Sequence, residues 1–66
     1  MFSSKLLSLR EQKGISQIAF ANDLGVTQQC VSFWEQGKRK PSFEMIVKIS
    51  EYFCCTTDEL MKEEVK

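Results

Sequence analysis

The 66 residues suffice for one small domain with a single hydrophobic core, and their formal net charge is zero. Histidine is absent and the three cysteines lack the spacing of a closed zinc site, so we expect no enzymatic activity, no metal and no cofactor. No apolar run approaches the roughly 18 residues that a membrane span needs, and free cysteines without a secretory signal predict a cytoplasmic protein.

The first predicted helix lies at the start of the chain. Its apolar side chains recur at the spacing of an amphipathic helix: Phe2, Leu6 and Leu9. Ser3 or Ser4 can cap its beginning, because a serine hydroxyl accepts a hydrogen bond from a free N–H of the first turn. Gly14 supplies the permissive backbone that ends it.

Two short helices separated by a tight turn are predicted next. Ser16 caps the second helix and Gly25 ends it, after which Thr27 caps a third helix that runs from about residue 28 to 36. The inward-facing side chains of the two helices are Phe20, Ala21, Leu24, Val31 and Trp34.

The remaining pattern predicts a fourth and a fifth helix, so the fold class is all-α. Gly37 ends the third helix, and Pro41 keeps the residue before it out of a helix. Ser42 caps the fourth helix, whereas Thr56 and Glu59 form the capping box of a short fifth helix. The apolar positions of these two helices are Phe43, Ile46, Ile49, Phe53 and Leu60.

The charges are distributed unevenly along the chain. Residues 1–40 carry six basic and three acidic side chains, for a net charge of +3, whereas residues 41–66 carry three basic and six acidic ones, for a net charge of −3. Lys38, Arg39 and Lys40 form a basic loop directly after the third helix. This asymmetry indicates that a polyanion faces one end of the molecule.

The segment from Ser16 to Gly37, SQIAFANDLGVTQQCVSFWEQG, resembles the helix-turn-helix of the phage repressor and Cro family, also called the XRE family. That family typically shows S-Q-x-x-L-A-x-x-L-G-V-S-x-x-x-I-S-x-W-E-x-G. Leu9-Arg10, Lys40-Pro41-Ser42 and the segment 56–60 also look like the family. The resemblance implies one domain over residues 1–66, a compact five-helix lambda-repressor-like fold with its helix-turn-helix at about 17–36, encoded by a bacterium or a phage.

The resemblance further implies a sequence-specific transcriptional regulator, most simply a dimeric repressor that reads a palindromic operator in double-stranded DNA through the major groove. The outward residues of the third helix that would read bases are Gln28, Gln29, Ser32 and Phe33. Gln29 is the best candidate, because a glutamine amide can donate to and accept from adenine at once. Phe33 departs from the polar or basic residue usual in the family, and it could meet a thymine methyl group or another protein.

Two further roles follow from the matching family positions. Gln17, in the first turn of the second helix, and the basic loop resemble the segments that contact DNA phosphates. Arg10 and Glu35 occupy the positions of an ion pair that ties the first helix to the end of the third and orients it.

A homodimer is expected because one recognition helix reads only a few base pairs. We place the contact in the acidic region 43–63 and its continuation, where the apolar side chains exceed what the core needs: Tyr52, Phe53, Cys55, Met61 and Val65. Phe53 and Leu60 are expected to lie in the core as well. Cys54 stands where the family often has glycine, which leaves the end of the fourth helix open.

An alternative function is an antitoxin-like or other protein-interaction module on a helix-turn-helix scaffold. The zero net charge and the expected exposure of Ile18 and Phe33 favour this alternative, whereas the glutamines and the basic loop favour DNA binding. No sensor domain is evident, so an inducer or anti-repressor would act through the dimer or through a protein partner.

Overall fold

Five α-helices joined by short turns make up most of residues 2–61, the part of the chain that the computed structural model describes. They are α1 (Phe2–Lys13), α2 (Gln17–Leu24), α3 (Gln28–Gln36), α4 (Phe43–Tyr52) and α5 (Thr57–Met61). The described residues contain no strand, in agreement with the all-α prediction. Within the same range, no helix combines the length and the apolar character needed to cross a bilayer.

Side-chain caps begin three of the helices where the sequence predicted them. The hydroxyls of Ser16, Thr27 and Ser42 accept hydrogen bonds from backbone N–H groups three residues later, at 3.1, 3.2 and 3.2 Å. Each bond satisfies a donor that has no partner within the helix, so it fixes the residue at which the helix begins.

The capping box of α5 is also present. The backbone N–H of Glu59 donates to the Thr56 hydroxyl at 3.0 Å, and the backbone N–H of Thr56 donates to the Glu59 carboxylate at 3.2 Å. The predicted cap of α1 is wrong, however. That helix begins at Phe2, so Ser3 and Ser4 are helical themselves and cannot occupy the extended conformation of an N-cap.

The turns that flank α3 are closed by glycines in the left-handed conformation. Gly25 has φ 78°, and the following Val26 N–H donates to the Ala21 carbonyl at 3.0 Å. Gly37 also has φ 78°, and the Lys38 N–H donates to the Phe33 carbonyl at 3.0 Å. These bonds satisfy carbonyls in the last turns of α2 and α3. They fix the direction of the chain as it enters and leaves α3.

The core is formed by side chains from every helix. Its buried members are Phe2, Leu6, Phe20, Ala21, Leu24, Val31, Trp34, Ile46, Ile49 and Leu60. α3 lies against both α1 and α2, and α5 lies against α1 and α4. The inner face of α3 is thereby fixed from two sides, which leaves its polar face at the surface.

Two predictions about the apolar face of α4 require correction. Phe43 is 73% exposed, because it is the first residue of α4 and no other described residue covers the end of the stripe. Phe53 is only half-buried: it follows the last helical residue and packs on the Phe20 ring, with centroids 5.4 Å apart. Leu60, in contrast, is completely buried, as expected.

The end of α4 depends on an unusual backbone conformation at Cys54. Its φ of 57° lies in the left-handed region. Among the described residues, the others with a positive φ are all glycines. The next N–H, of Cys55, donates to the Ser50 carbonyl at 2.9 Å and closes the helix. A cysteine therefore adopts here the conformation for which glycine is favoured.

Candidate nucleic-acid interface

Arg10 of α1 and Glu35 of α3 form a two-pronged ion pair. The Arg10 Nε and Nη2 groups donate to the two carboxylate oxygens at 2.6 and 3.1 Å, and Nη1 donates to the Ile15 carbonyl at 2.8 Å. Their side chains are 12% and 5% exposed. The hydrogen bond that Arg10 donates to Glu35 raises the pKa of Arg10 above its usual value despite the opposing effect of burial. This geometry fixes the rotation of α3 relative to α1.

The same carboxylate also holds Gln17, a contact that the sequence analysis missed. Gln17 Nε2 donates to Glu35 Oε1 at 2.9 Å, and Gln17 Oε1 accepts a hydrogen bond from Gln28 Nε2 at 3.3 Å. Arg10, Glu35, Gln17 and Gln28 thus form one continuous chain of hydrogen bonds, which we call the amide relay. It runs from the largely buried ion pair between α1 and α3 to Gln28, at the beginning of the exposed face of α3.

The relay sets the orientation of both amides. A carboxylate can only accept hydrogen bonds, so Gln17 must turn its NH₂ group toward Glu35 and its oxygen toward Gln28. Each amide nitrogen uses one of its two hydrogens in the relay. Gln28 consequently keeps its carbonyl oxygen and one N–H for another molecule, an acceptor and a donor side by side, which is the pairing that the major-groove edge of adenine requires.

The other polar residues of α3 differ in how strongly they are held. Gln29 is exposed, and its amide forms no hydrogen bond with another described residue. Ser32 is half-buried and accepts a hydrogen bond from Gln36 Nε2 at 2.7 Å. The first turn of α3 therefore presents one restrained amide and one that can adjust to a ligand.

Phe33 is less exposed than the sequence suggested, because the basic loop covers part of it. The guanidinium of Arg39 lies 5.8 Å from the centre of the Phe33 ring, and the Phe33 carbonyl accepts a backbone hydrogen bond from Lys38. Lys38, Arg39 and Lys40 are themselves exposed. The basic loop thus adjoins the outer face of α3, whereas Ile18 on α2 remains 55% exposed.

Tyr52, predicted at a dimer contact, is engaged within the chain. Its hydroxyl donates to Asp23 Oδ2 at 2.6 Å, its ring centre lies 5.2 Å from that of Phe20, and the Lys13 ammonium lies 5.3 Å above the ring. The hydrogen bond to Asp23, assisted by burial and by the carboxylate charge, raises the pKa of Tyr52 to about 12. These contacts join the ends of α2 and α4.

The other predicted dimer residues differ in how far they are buried within the chain. Phe53 packs on Tyr52 and Phe20, and Cys55 is half-buried against the core. Burial is the main reason that the pKa of the Cys55 thiol is raised. Met61 is 37% exposed, and Val65 lies outside the described residues. Much of the apolar surface assigned to a partner is thus used within the chain.

Features of other kinds of site are not found in the part of the chain that the structure describes. No group of three or more histidine, cysteine, aspartate or glutamate side chains there could hold a metal ion. Cys30, Cys54 and Cys55 are free thiols.

Comparison with known proteins extends over almost the entire chain. A family model described as helix-turn-helix matches residues 6–60. The chain is 40% identical over 63 residues to the transcriptional activator BcrR of Enterococcus faecalis and 30% identical over 63 residues to the cryptic phage CTXphi transcriptional repressor RstR of Vibrio cholerae. These alignments cover 96% of this chain but only 31% and 57% of the two relatives.

The fold matches that of a solved repressor–operator complex. The P22 c2 repressor protein, bound to a synthetic operator, superposes with a TM-score of 0.89 at 25% sequence identity, and the match covers 97% of both chains. A solution structure of the P22 c2 DNA-binding domain shows the same fold with a TM-score of 0.88.

Proposed function

Because the chain belongs to the helix-turn-helix family of phage repressors and Cro-like regulators, we propose that it is a sequence-specific transcriptional regulator that binds double-stranded DNA. The resemblance noted in the sequence is confirmed by the family match and by the fold. The relatives named above are transcriptional regulators rather than enzymes, in agreement with the expected lack of catalytic activity. The observation that carries the proposal is the amide relay, which orients Gln28 at the start of the exposed face of α3.

In this proposal α3 enters the major groove with its first turn nearest the base edges. Gln28 offers a fixed donor and acceptor to an adenine, and Gln29 adjusts to the neighbouring base pair. One good bidentate pair discriminates between bases by about 1–3 kcal/mol. Ser32 and Phe33, both half-buried, lie further along the helix and contribute less to specificity.

Contacts to phosphates position the helix without reading sequence. Gln17 retains one amide N–H beyond the relay, and it extends from the first turn of α2, the helix that crosses the DNA backbone in this motif. The exposed basic loop contributes three cationic side chains next to α3: Lys38, Arg39 and Lys40. The charge asymmetry of the chain directs this end of the molecule toward DNA.

A homodimer on a palindromic operator is the simplest form of the regulator. Two recognition helices must lie about 34 Å apart to read successive turns of one DNA face. The acidic half of the chain supplies the contact, through Cys55 and Val65 and through the exposed Phe43, which the sequence analysis had placed on the apolar face of the fourth helix. Repression by occlusion of a promoter, a cytoplasmic location and control by a protein partner belong to the same proposal.

A salt titration of duplex binding tests the proposal. The logarithm of the affinity falls linearly with the logarithm of the salt concentration, with a slope of about −0.9 for each phosphate neutralised. Three loop cations predict a slope of roughly −3 per protomer, and replacement of Lys38 by Gln removes roughly one from that value. A variant of the exposed Lys48 on α4, Lys48→Gln, serves as the control and keeps the slope.

The same titration separates the protein-interaction alternative, for which the exposed Ile18 is the supporting observation. A module that only holds a protein partner has no reason to bind duplex DNA with a steep salt dependence. Absent binding, or a slope near zero, therefore contradicts the proposed function and favours the alternative.

A further inference from the structure

A cleft of about 140 Å³ opens on the surface between the start of α1, the end of α3, the basic loop and the end of α5. Phe2, Trp34 and Met61 supply its apolar walls, Ser3 contributes a hydroxyl, and Arg39 and Lys40 supply two cationic side chains. None of the described residues that line it is acidic. The amide relay and the first turn of α3 do not contribute to this cleft.

The size and chemistry of the cleft restrict what it can hold. Its volume is comparable to the roughly 150 Å³ of an apolar cavity that accommodates one benzene ring. Apolar walls beside two positive charges fit a molecule with a ring at one end and an anionic group at the other. We propose that this cleft binds a small monocyclic aromatic carboxylate, with the ring between Phe2, Trp34 and Met61 and the carboxylate at Arg39 and Lys40.

Occupation of the cleft opposes DNA binding. Arg39 and Lys40 belong both to the cleft and to the basic loop, and a ligand carboxylate that engages them takes the place of a DNA phosphate. Arg39 also lies over the Phe33 ring of α3, so its displacement reaches the outer face of that helix. This effect rests on the proposed function, whereas binding of the ligand does not.

Trp34 makes the ligand site directly measurable, because it is the single tryptophan of the chain and lines the cleft. Phenylacetate is the probe, and the emission of Trp34 is followed at excitation wavelengths where phenylacetate does not absorb. Phenylacetamide, which keeps the ring without the charge, and acetate, which keeps the charge without the ring, are the controls. We expect a saturable change with phenylacetate and a response at least about tenfold weaker with either control.

Two substitutions in the basic loop test which cationic side chain binds the carboxylate of phenylacetate. Arg39→Gln is expected to weaken phenylacetate binding about tenfold, because a charge-assisted hydrogen bond is lost. Lys38→Gln removes the same charge from a neighbouring exposed residue that does not line the cleft, and it is expected to leave phenylacetate binding unchanged. Circular dichroism of both variants establishes that the helices are intact.

A cleft-filling variant, Ser3→Leu, tests the link to DNA. This variant is expected to show no phenylacetate response and to bind duplex DNA as the parent does. Phenylacetate is expected to weaken duplex binding by the parent and to have no effect on duplex binding by the variant.

The proposal is overturned if Trp34 emission shows no saturation, if phenylacetamide binds as tightly as phenylacetate, or if Lys38→Gln weakens phenylacetate binding as much as Arg39→Gln. The proposed effect on DNA binding is overturned if phenylacetate does not change the affinity of the parent for duplex DNA. Failure of the parent to bind any duplex contradicts the proposed function and leaves the fluorescence result to decide the site.

Discussion

At the level of single residues, the Glu35 carboxylate accepts hydrogen bonds from Arg10 and Gln17 while only 5% of its side chain is exposed. The two donors come from different helices, so the position of one carboxylate affects both the packing of α1 on α3 and the orientation of the amides. Loss of this group would leave the Arg10 guanidinium largely buried without its counter-charge.

We therefore expect Glu35→Ala to destabilise the domain. Breaking a mostly buried pair costs about 3 kcal/mol, which lowers the melting temperature of a chain this small by roughly 12–24 °C. DNA affinity falls as well, because Gln17 loses its acceptor. Thermal unfolding followed by circular dichroism measures the change. The matched control is Glu51→Ala, at an exposed glutamate of α4, and a similar loss in both variants contradicts the structural role of Glu35.

The residues of the candidate interface could be predicted more readily than their connections. The resemblance to phage repressors placed Arg10 opposite Glu35 and put Gln28 and Gln29 on the outer face of α3. The bond from Gln17 to Glu35 could not be predicted, because it joins residues 18 positions apart and depends on the angle between α2 and α3. Gln17 was expected to contact phosphate, and the structure uses one of its N–H groups inside the protein.

At the level of helices, the residues that end them determine where the outer surface of the domain lies. Glycine closes the turns after α1, α2 and α3, but Cys54 holds the equivalent left-handed conformation after α4. An L-residue with a side chain is less stable in that conformation than glycine by about 1–2 kcal/mol. Part of that strain is offset because glycine has more conformational freedom in the unfolded chain.

Cys54→Gly is accordingly expected to stabilise the domain by about 0.5–1 kcal/mol. Chemical denaturation measures the gain as a higher midpoint with an unchanged slope. Cys54→Ala removes the thiol and keeps the strained side chain, so it serves as the control and gives no gain. Equal midpoints for the glycine and alanine variants would show that the backbone conformation is not the cause.

The bond between Tyr52 and Asp23 connects α2 to α4 and predicts a pH dependence. Folding raises the pKa of Tyr52 from 10.0 to about 12, so the folded state holds the phenolic proton more tightly than the unfolded chain does. The stabilisation is fully present below pH 10 and is lost as the pH rises from 10 to 12.

Tyr52→Phe lacks the titrating hydroxyl. We expect its stability to be lower than that of the parent near neutral pH and the difference to disappear across the alkaline range. Lys13 and Asp23, which face the Tyr52 side chain, are present in both proteins, so the comparison isolates the phenol. A difference in denaturation midpoint that stays constant between neutral pH and pH 12 contradicts this account.

The helices themselves followed from local signals, with errors confined to their ends. Ser16, Thr27 and Ser42 were identified as caps because their hydroxyls act within a few residues of the chain. The start of α1 was misplaced, because two adjacent serines suggested a cap that the backbone does not form. Phe43 was placed on the apolar face of α4 by its spacing alone, and spacing does not report whether a neighbouring helix reaches that end of α4.

At the level of the whole molecule, the zero net charge is the sum of two halves of the sequence with opposite charge. The first 40 residues carry a net charge of +3 and include the relay and the basic loop, whereas the remainder carries −3. The helices could be predicted from the order of caps, glycines and apolar residues, and the family could be predicted because residues 16–37 resemble the phage repressor and Cro motif. The dimer contact stays a prediction: Tyr52 and Phe53 pack part of their apolar surface against the core within the chain, and the spacing of these residues gives no indication of that packing.

We propose that a rigid scaffold presents the amides of Gln28 and Gln29 to base edges. Bound duplexes are selected from a random pool in parallel with the parent, Gln28→Ala, Gln29→Ala and the control Gln12→Ala, which removes an exposed glutamine of α1 outside the proposed interface. We predict that the parent and Gln12→Ala enrich the same half-site with a fixed adenine, and that Gln28→Ala loses the preference at that base pair while still binding DNA. Gln29→Ala is predicted to lose the preference at the adjacent base pair. Enrichment of an identical half-site by all four proteins would show that neither glutamine reads a base.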